Sequence, residues 1–460
     1  MMLAKVLKEF KQLMPIALPA VFSQLAQMAM GVIDTIMAGH YSNDALAAIA
    51  IGTSLLHPVL VFFMGLFLAF NPIIAHLRGA KKDQEIGATF RLSIGLAIVM
   101  VPFAVVILLN AQIILDLLGV NPAVVDLATR YLHATVWGMP GLLLFLALRF
   151  CNEGMFSTPA ILTATLVSIP FNILFNFWFM YGGYGVPEMG AVGLGYATGL
   201  VWTIMFLGLL TYSALTPKYR TFEIFKQFKL PGWHAVREVL HLGFPMAITL
   251  GFEVTLFAAV SLMIGRYPTE VMGAHQIAVN IASLTFMIPL GISQAITARV
   301  GYFAGKQAPN RMRLAGYTGI ATAAGISTFT ASAMILLPVT LVSFYTEDSA
   351  VIAIASGLLF YAAIFQFSDC VQVSSAGALR GMKDTKMPMV ITAVAYWFVG
   401  FPVGYYLAES QGYQANGYWM GLIAGLTTAA ILLMVRWRQL SRTINFATAV
   451  SKAEKFDASI

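Results

Sequence analysis

Three carboxylates interrupt long apolar stretches of the sequence: Asp34, Glu253 and Asp369. In a bilayer centre, an ionised carboxylate costs at least about 2.5 to 3.5 kcal/mol, so it needs a partner or a function. Protonation, a bound cation, polar neighbours or water in a cleft could compensate the charge, and the first two amount to a cation site. These residues therefore predict binding of H⁺ or Na⁺. The alternative is a neutral carboxylic acid that serves as a structural hydrogen-bond donor.

The depth of each carboxylate follows from its distance to the charged residues that bound its apolar stretch. Glu253 lies about 20 Å from either end of its helix, at about 1.5 Å per residue, so it is near the midplane. Asp369 precedes Arg380 by 11 residues, which again indicates mid-membrane. Asp34 lies ten residues before Asp44, in the outer half of its helix. The sequence places no Lys or Arg at this depth, and the polar residues that could serve instead are Gln24, Gln27, Thr35, Asn280, Gln366 and Gln372.

The elements that carry these residues are predicted to be transmembrane helices. The chain of 460 residues is 59% hydrophobic and 10% charged, and its mean hydropathy of +0.80 is too high for a soluble domain. A span needs roughly 20 apolar residues. The sequence thus predicts an all-α integral membrane protein with twelve transmembrane helices. Their ranges are 12–37, 45–75, 92–109, 131–149, 160–181, 190–215, 240–264, 273–298, 317–344, 350–379, 387–408 and 418–435.

Basic residues concentrate in alternate loops. With the N-terminus inside, Arg130 and Arg266 are the only two of the 27 Lys and Arg that fall outside. This is the positive-inside pattern, so both termini are expected to be cytoplasmic and the net charge of +7 indicates no nucleic acid partner. Cys151 and Cys370 lie where no oxidising compartment reaches them, and we expect no disulfide. The inside loops carry Lys5, Lys8, Lys11, Arg78, Lys81, Lys82, Lys218, Arg220, Lys226, Lys229, Arg436, Arg438 and Arg442.

The two halves of the chain repeat each other. Shifting the sequence by 226 residues aligns 19–79 with 245–305 without a gap and superimposes Gly65 on Gly291. Each half has an even number of helices, which predicts a parallel repeat about an axis along the membrane normal, the plan of transporters whose two lobes rock around a central cleft. The predicted parts are an N-terminal six-helix lobe (1–215), a cytoplasmic linker (216–238), a C-terminal six-helix lobe (239–436) and a cytoplasmic tail (437–460).

Pro19 and Pro245 coincide in this alignment and fall inside predicted helices. Each leaves the carbonyl four residues earlier without its usual donor, which predicts a kink. A kink in the helix of Asp34 could bend with the charge state of that residue, which makes both prolines candidate hinges. The alternative is a static kink.

The sequence shows no enzyme motif. It has no Walker loop and no zinc-binding spacing among its seven His. The spacing of three glycines matches part of a dinucleotide-binding loop: Gly193, Gly195 and Gly199. No strand precedes them, so close packing of helices explains these glycines better. We therefore expect a protein that is not an enzyme and needs no cofactor. Its many Phe, Met, Tyr and Trp residues could line a deformable surface for aromatic cations.

Several local strings resemble the NorM-type multidrug and toxic compound extrusion (MATE) transporters, and the likeness covers nearly the whole chain. The strings are Gln27-Met-Ala-Met-Gly31-Val-Ile-Asp34-Thr-Ile-Met-Ala-Gly39, Phe252-Glu253-Val-Thr-Leu-Phe257, Ala274-His275-Gln276-Ile277-Ala278, and Ser368-Asp369 followed by Gly377-Ala-Leu-Arg380-Gly381-Met-Lys-Asp384-Thr385.

The resemblance implies export of cationic, often aromatic drugs and dyes in exchange for inward Na⁺ or H⁺, by a monomer in the bacterial inner membrane. It implies that Glu253 and Asp369 are cation ligands, with Na⁺ as one possible ion. Asp34 would be the coupling carboxylate of the first lobe, supported by Asn172 and Asn176, with Gln27 as a further polar residue. Two alternatives stay open: a flippase for lipid-linked precursors, and a membrane-embedded lipid enzyme.

Overall fold

The computed structural model describes residues 2–117, 119, 122–183, 185–224 and 232–443. Across this part of the chain the regular structure is helical, and the one β-type pairing is an isolated bridge between Gly183 and Val186. Lys226 and Lys229 of the predicted linker, and the predicted tail beyond residue 443, lie outside the described residues.

The helices, numbered in chain order, are α1 (Met2–Tyr41), α2 (Asn43–Phe67), α3 (Phe70–Gly79), α4 (Asp83–Leu109), α5 (Ala111–Leu117), α6 (Pro122–Val136), α7 (Met139–Gly154), α8 (Thr158–Tyr181), α9 (Ala191–Leu215), α10 (Pro217–Arg220), α11 (Trp233–Ile264), α12 (Thr269–Gly305), α13 (Pro309–Leu336), α14 (Pro338–Ser343), α15 (Ser349–Gly381), α16 (Lys386–Ala393), α17 (Phe401–Tyr405) and α18 (Gln414–Thr443). Two π-helical stretches, Val394–Gly400 and Tyr406–Ser410, join α16 and α17 into one long helix.

Eleven helical segments of the described chain are long and apolar enough to cross a membrane, and a bent pair supplies the twelfth. The predicted all-α membrane fold with twelve spans is confirmed. The bent pair corresponds to the predicted span 131–149, which is broken rather than continuous: Val124–Val136 and Met139–Gly154 meet at 55°. The bend falls where Gly138 lies against the backbone of Gly199, so closely that a Cβ atom would collide with it. Pro140 in the first turn of α7 then fixes the new helix start.

The chain folds into two compact units. Unit 1 contains Met1–Val21, Ala75–Lys81 and Ile248–Ile460, and unit 2 contains Phe22–Ile74 and Lys82–Ala247. The lobe boundaries predicted from the repeat stay a prediction. In α1 and in α11 the change of unit falls two residues after a proline, Pro19 and Pro245 respectively.

Neither proline ends its helix. Pro19 lies inside the continuous helix α1, together with Pro15, and Pro245 lies inside α11. Neighbouring groups can satisfy the backbone positions that a proline leaves free, which lets such helices continue through a membrane. The predicted hinge function of Pro19 and Pro245 stays a prediction.

Matching glycines in the two halves make matching close contacts. In unit 2, a Cβ atom at Gly65 of α2 would collide with the backbone of Ala247 in α11. In unit 1, a Cβ atom at Gly291 of α12 would collide with the backbone of Val21 in α1. The predicted repeat pairs Gly65 with Gly291, and it also pairs Val21 with Ala247. The sequence repeat is therefore a repeat of packing, because the absence of a side chain lets two backbones meet in each case.

Candidate functional site

Asp34 is the centre of a polar cluster in unit 2. Asn172 donates from Nδ2 to Asp34 Oδ1 across 2.9 Å, and Asn176 donates to the same oxygen across 2.6 Å. The two asparagines lie four residues apart on α8, so they share one helix face. The structure thus brings together the three residues that the resemblance grouped.

The carboxylate has further neighbours that the sequence did not indicate. Thr198 of α9 approaches Asp34 Oδ2 with its hydroxyl at 3.5 Å, and buried Tyr131 lies close enough to interact with the charge. Thr198 also donates to the carbonyl of Leu194, as hydroxyls in helices commonly do, so its type and spacing carry no sequence signal.

The same cluster offers oxygen atoms to a positive ligand. The amide oxygens Oδ1 of Asn172 and Asn176 are buried and have no hydrogen-bond donor among the described residues. Amide and carboxylate oxygens are the ligands that hard cations such as alkali and alkaline-earth ions prefer. Asp34 with these two asparagines therefore has the donor set for a small cation, or for the positive group of a larger molecule.

Glu253 and Asp369 belong to unit 1, on α11 and α15. They lie close enough to interact electrostatically. Asp369 is 4% exposed, and its Oδ1 atom has no hydrogen-bond partner in the described part of the chain. Glu253 is only partly buried, so the pair is within reach of a small ion. Two neighbouring carboxylates repel each other when both are ionised, and a proton or a metal cation relieves that repulsion.

Tyr396 is a member of the second carboxylate site that sequence reasoning missed. It is fully buried, it interacts electrostatically with both Glu253 and Asp369, and its hydroxyl has no described partner. It lies in the π-helical stretch Val394–Gly400, a local widening that often occurs at functional positions. One turn after Asp369 on α15, Gln372 adds a buried amide oxygen that also has no described partner.

One expectation about this site is wrong. The sequence predicts no basic residue at the depth of the carboxylates, yet Arg380 at the end of α15 lies close enough to Glu253 to interact electrostatically. Arg380 is 8% exposed and donates from Nη2 to Ser293 Oγ. Arg380 lies one residue past the predicted span end at residue 379, and helix α15 ends at Gly381. Among the described residues, no three His, Cys, Asp or Glu side chains cluster as metal ligands, so a cation here would need other oxygen atoms.

Gln27 lies elsewhere, in a buried network around Arg149. The Arg149 guanidinium donates to Gln27 Oε1 at 3.0 Å, to Gln24 Oε1 at 2.9 Å and to Glu153 Oε1 at 3.1 Å. Asn71 Nδ2 donates to the other oxygen of Glu153. Gln27 itself donates to Ser23, and it makes no described hydrogen bond to Asp34.

Comparison with known proteins identifies the family. A sequence model described as MatE matches residues 19–178 and again residues 245–406. The two matches begin at Pro19 and Pro245, the pair that opens the predicted repeat.

The chain belongs to the MatE family.

Curated relatives span almost the same length as this MatE protein. The multidrug resistance protein MdtK of Yersinia enterocolitica is 38% identical over 445 residues, with 95% of this chain and 97% of the relative covered. MdtK of Photorhabdus laumondii is 37% identical over 444 residues, with the same shares covered. Among solved structures, the eukaryotic MATE transporter AtDTX14 has a TM-score of 0.86 at 19% identity, with 95% of this chain and 98% of that chain covered. The fold and the family agree with the resemblance read from the local strings.

Proposed function

We propose that this MatE protein exports cationic, amphipathic drugs and dyes across the bacterial inner membrane, in exchange for inward Na⁺ or H⁺, by alternating access. Membership of a transporter family and the relatives named for multidrug resistance support the drug export. The cation coupling rests on the carboxylates of this chain, and both termini are proposed to be cytoplasmic because basic residues concentrate in the loops on that side.

One observation carries the coupling: Asp369 is 4% exposed, interacts electrostatically with Glu253, and keeps an oxygen atom with no described partner. In a purely structural role, a buried carboxyl would be expected to have its oxygens hydrogen-bonded, since an unmet buried acceptor costs about 1 to 3 kcal/mol. Cation entry would remove that cost, and cation release would restore it.

Asp34 is a further carboxylate on which the proposed transport cycle depends. The residue is partly exposed, and its carboxylate accepts hydrogen bonds from two amide donors on one helix face, with no described Lys or Arg hydrogen-bonded to it. A cationic drug and a small cation would not occupy one negative group together, so competition for charge links export to cation entry. The positions of Pro19 and Pro245 at the changes between compact units support them as hinges for this motion.

The flippase alternative is less well supported. A pyrophosphate-bearing lipid would need basic groups ready to receive it. Buried Arg149 already bonds to Glu153, and buried Arg380 lies near Glu253, so both face acidic groups. For the lipid-enzyme alternative, the described residues offer no clustered catalytic set.

The test uses the purified protein in vesicles that report uptake of a fluorescent aromatic cation under an imposed gradient. We compare a Na⁺ gradient at constant pH with a pH gradient free of Na⁺, for the parent and for Glu253→Gln and Asp369→Asn. We expect one gradient to drive transport by the parent, and each variant to lose that gradient-driven component at least about ten-fold.

The matched control is Asp126→Asn, which neutralises an exposed acid that pairs with Arg130 on the protein surface. It should transport as the parent does. Transport at the parental rate by Glu253→Gln and Asp369→Asn under both gradients would contradict cation coupling through this pair. Loss of gradient dependence with preserved binding of the dye would support it.

A further inference from the structure

Helices α8 and α9 leave a groove between them, which we call the α8–α9 groove. It has a volume of about 710 Å³ and is open on one side. Its floor consists of small residues, Ala160 and Ala164 on α8 and Gly208 on α9, and its walls include the exposed side chains of Val167 and Leu207. The groove exists because the floor residues lack bulk: a Cβ atom at Gly208 would just touch Ala164 at 3.4 Å. Both helices are membrane spans, so this opening lies at bilayer depth.

The length of the groove matches one leaflet. It runs from Ser157, the residue before α8, to Val167 on α8, ten residues or about 15 Å at 1.5 Å per residue. Half of a typical hydrocarbon core of about 30 Å is the same length. An extended acyl chain of one leaflet therefore fits along the groove from end to end.

One end of the groove is basic. Lys218 is the charged residue of its lining, and its ammonium donates to the carbonyl of Met155 across 3.2 Å. An ammonium carries three N–H donors, so a lysine that bonds a backbone carbonyl can bond an anion as well. The lining there also contains the hydroxyls of Thr211 and Tyr212, and Arg220 lies exposed just beyond it. The charge at this end is complementary to a phosphate diester at the headgroup level.

We propose that the α8–α9 groove binds an anionic phospholipid, such as a phosphatidylglycerol, with an acyl chain over Ala164 and Gly208 and the phosphate at Lys218. The occupant is a lipid because the apolar part of the site is one leaflet long and opens at bilayer depth. It is anionic because the charged residue of the lining is positive. A basic residue near an anionic lipid surface contributes about five-fold in affinity, equivalent to about 1 kcal/mol.

Two variants separate the two parts of this site. Lys218→Gln removes the charge, and Gly208→Leu fills the floor. The matched controls are Lys5→Gln, which removes an exposed charge on α1, and Gly325→Leu, at a glycine of α13 with open space around it. Native mass spectrometry of the detergent-solubilised full chain, titrated with phosphatidylglycerol, measures the occupancy of bound lipid.

We expect both test variants to weaken phosphatidylglycerol binding by about five-fold or more, and both controls to bind as the parent does. Phosphatidylcholine should bind more weakly to the parent and should be insensitive to Lys218→Gln, and inorganic phosphate alone should not compete. Equal binding of phosphatidylglycerol to the parent, Lys218→Gln and Gly208→Leu would overturn the proposal. So would weakened binding of a fluorescent cation with unchanged lipid binding, since the groove would then be a drug site.

Discussion

Asn176 donates a hydrogen bond from Nδ2 to Asp34 Oδ1 across 2.6 Å, and Asn172, one turn earlier on α8, donates to the same oxygen across 2.9 Å. The other oxygen, Oδ2, has the hydroxyl of Thr198 at 3.5 Å, the limit of a hydrogen bond. The two sides of the carboxylate are therefore unequal. Oδ1 accepts two hydrogen bonds from α8, whereas Oδ2 has a single contact at the limit of a hydrogen bond.

Neutralising Asp34 should slow export strongly while keeping the shape of the cluster. In Asp34→Asn the oxygen facing Asn172 and Asn176 can remain, but the charge that attracts a cation is gone. Hydrogen bonds to a charged group contribute about 1.5 to 3 kcal/mol, so we expect the rate of dye efflux to fall at least about ten-fold. The rate is measured as efflux of a fluorescent cation from loaded cells. The control is Asp44→Asn at the exposed start of α2, and efflux by Asp34→Asn at the control rate would contradict the role given to this charge.

The three donors to Asp34 should differ in importance according to their distances. Asn176→Ala removes the bond at 2.6 Å, and we expect about a ten-fold loss of efflux. Thr198→Val keeps the shape and removes the contact at 3.5 Å, and we expect less than about a three-fold loss. Efflux rates normalised to the amount of protein in the membrane give the ranking. The reverse order would show that Oδ2, rather than Oδ1, is held by the protein.

The sequence predicted the parts of this site that depend on local pattern. The resemblance grouped Asn172 and Asn176 with Asp34, and their spacing of four residues places them on one helix face. The spans followed from uninterrupted apolar stretches. The position of Thr198 beside Asp34 could not be predicted from the sequence. A hydroxyl in an apolar helix commonly donates to the backbone of its own helix, as Thr198 does to the carbonyl of Leu194. Its approach to Asp34 is set by the packing of separate helices.

The parts that were missed depend on contacts distant in sequence. The break at Gly138 falls where this glycine meets Gly199, a residue about sixty positions later in the sequence that the local pattern does not indicate. The interaction of Arg380 with Glu253 joins two helices that are distant in sequence. Arg149 and Glu153 did carry a signal: opposite charges at a spacing of four next to an apolar run, which is the spacing of a helical ion pair.

Gly65 should not tolerate even one added methyl group, because a Cβ atom there collides with the backbone of Ala247. We expect Gly65→Ala to destabilise the protein by about 1 to 3 kcal/mol, as overpacking of a tight contact does. Gly31→Ala is the matched change on α1, where nothing lies within 4 Å, and removing a glycine from a helix interior there should be neutral or stabilising. We compare the two variants by their thermal unfolding midpoints in detergent, measured by tryptophan fluorescence. Equal midpoints for both variants would mean that α2 and α11 can move apart without a loss of stability.

Arg149 and Glu153 form an ion pair in which both side chains are 2% exposed, and this pair should matter most when only one partner is removed. In Glu153→Gln the guanidinium of Arg149 stays buried with neutral partners such as Gln24 and Gln27. We therefore expect the free energy of unfolding to fall by about 3 to 5 kcal/mol. The double variant Arg149→Met with Glu153→Gln removes the stranded charge. Its unfolding midpoint should therefore lie above that of Glu153→Gln alone, although it lacks one more native side chain. A double variant less stable than the single would show that Arg149 stabilises the network through its amide partners rather than through its charge pair.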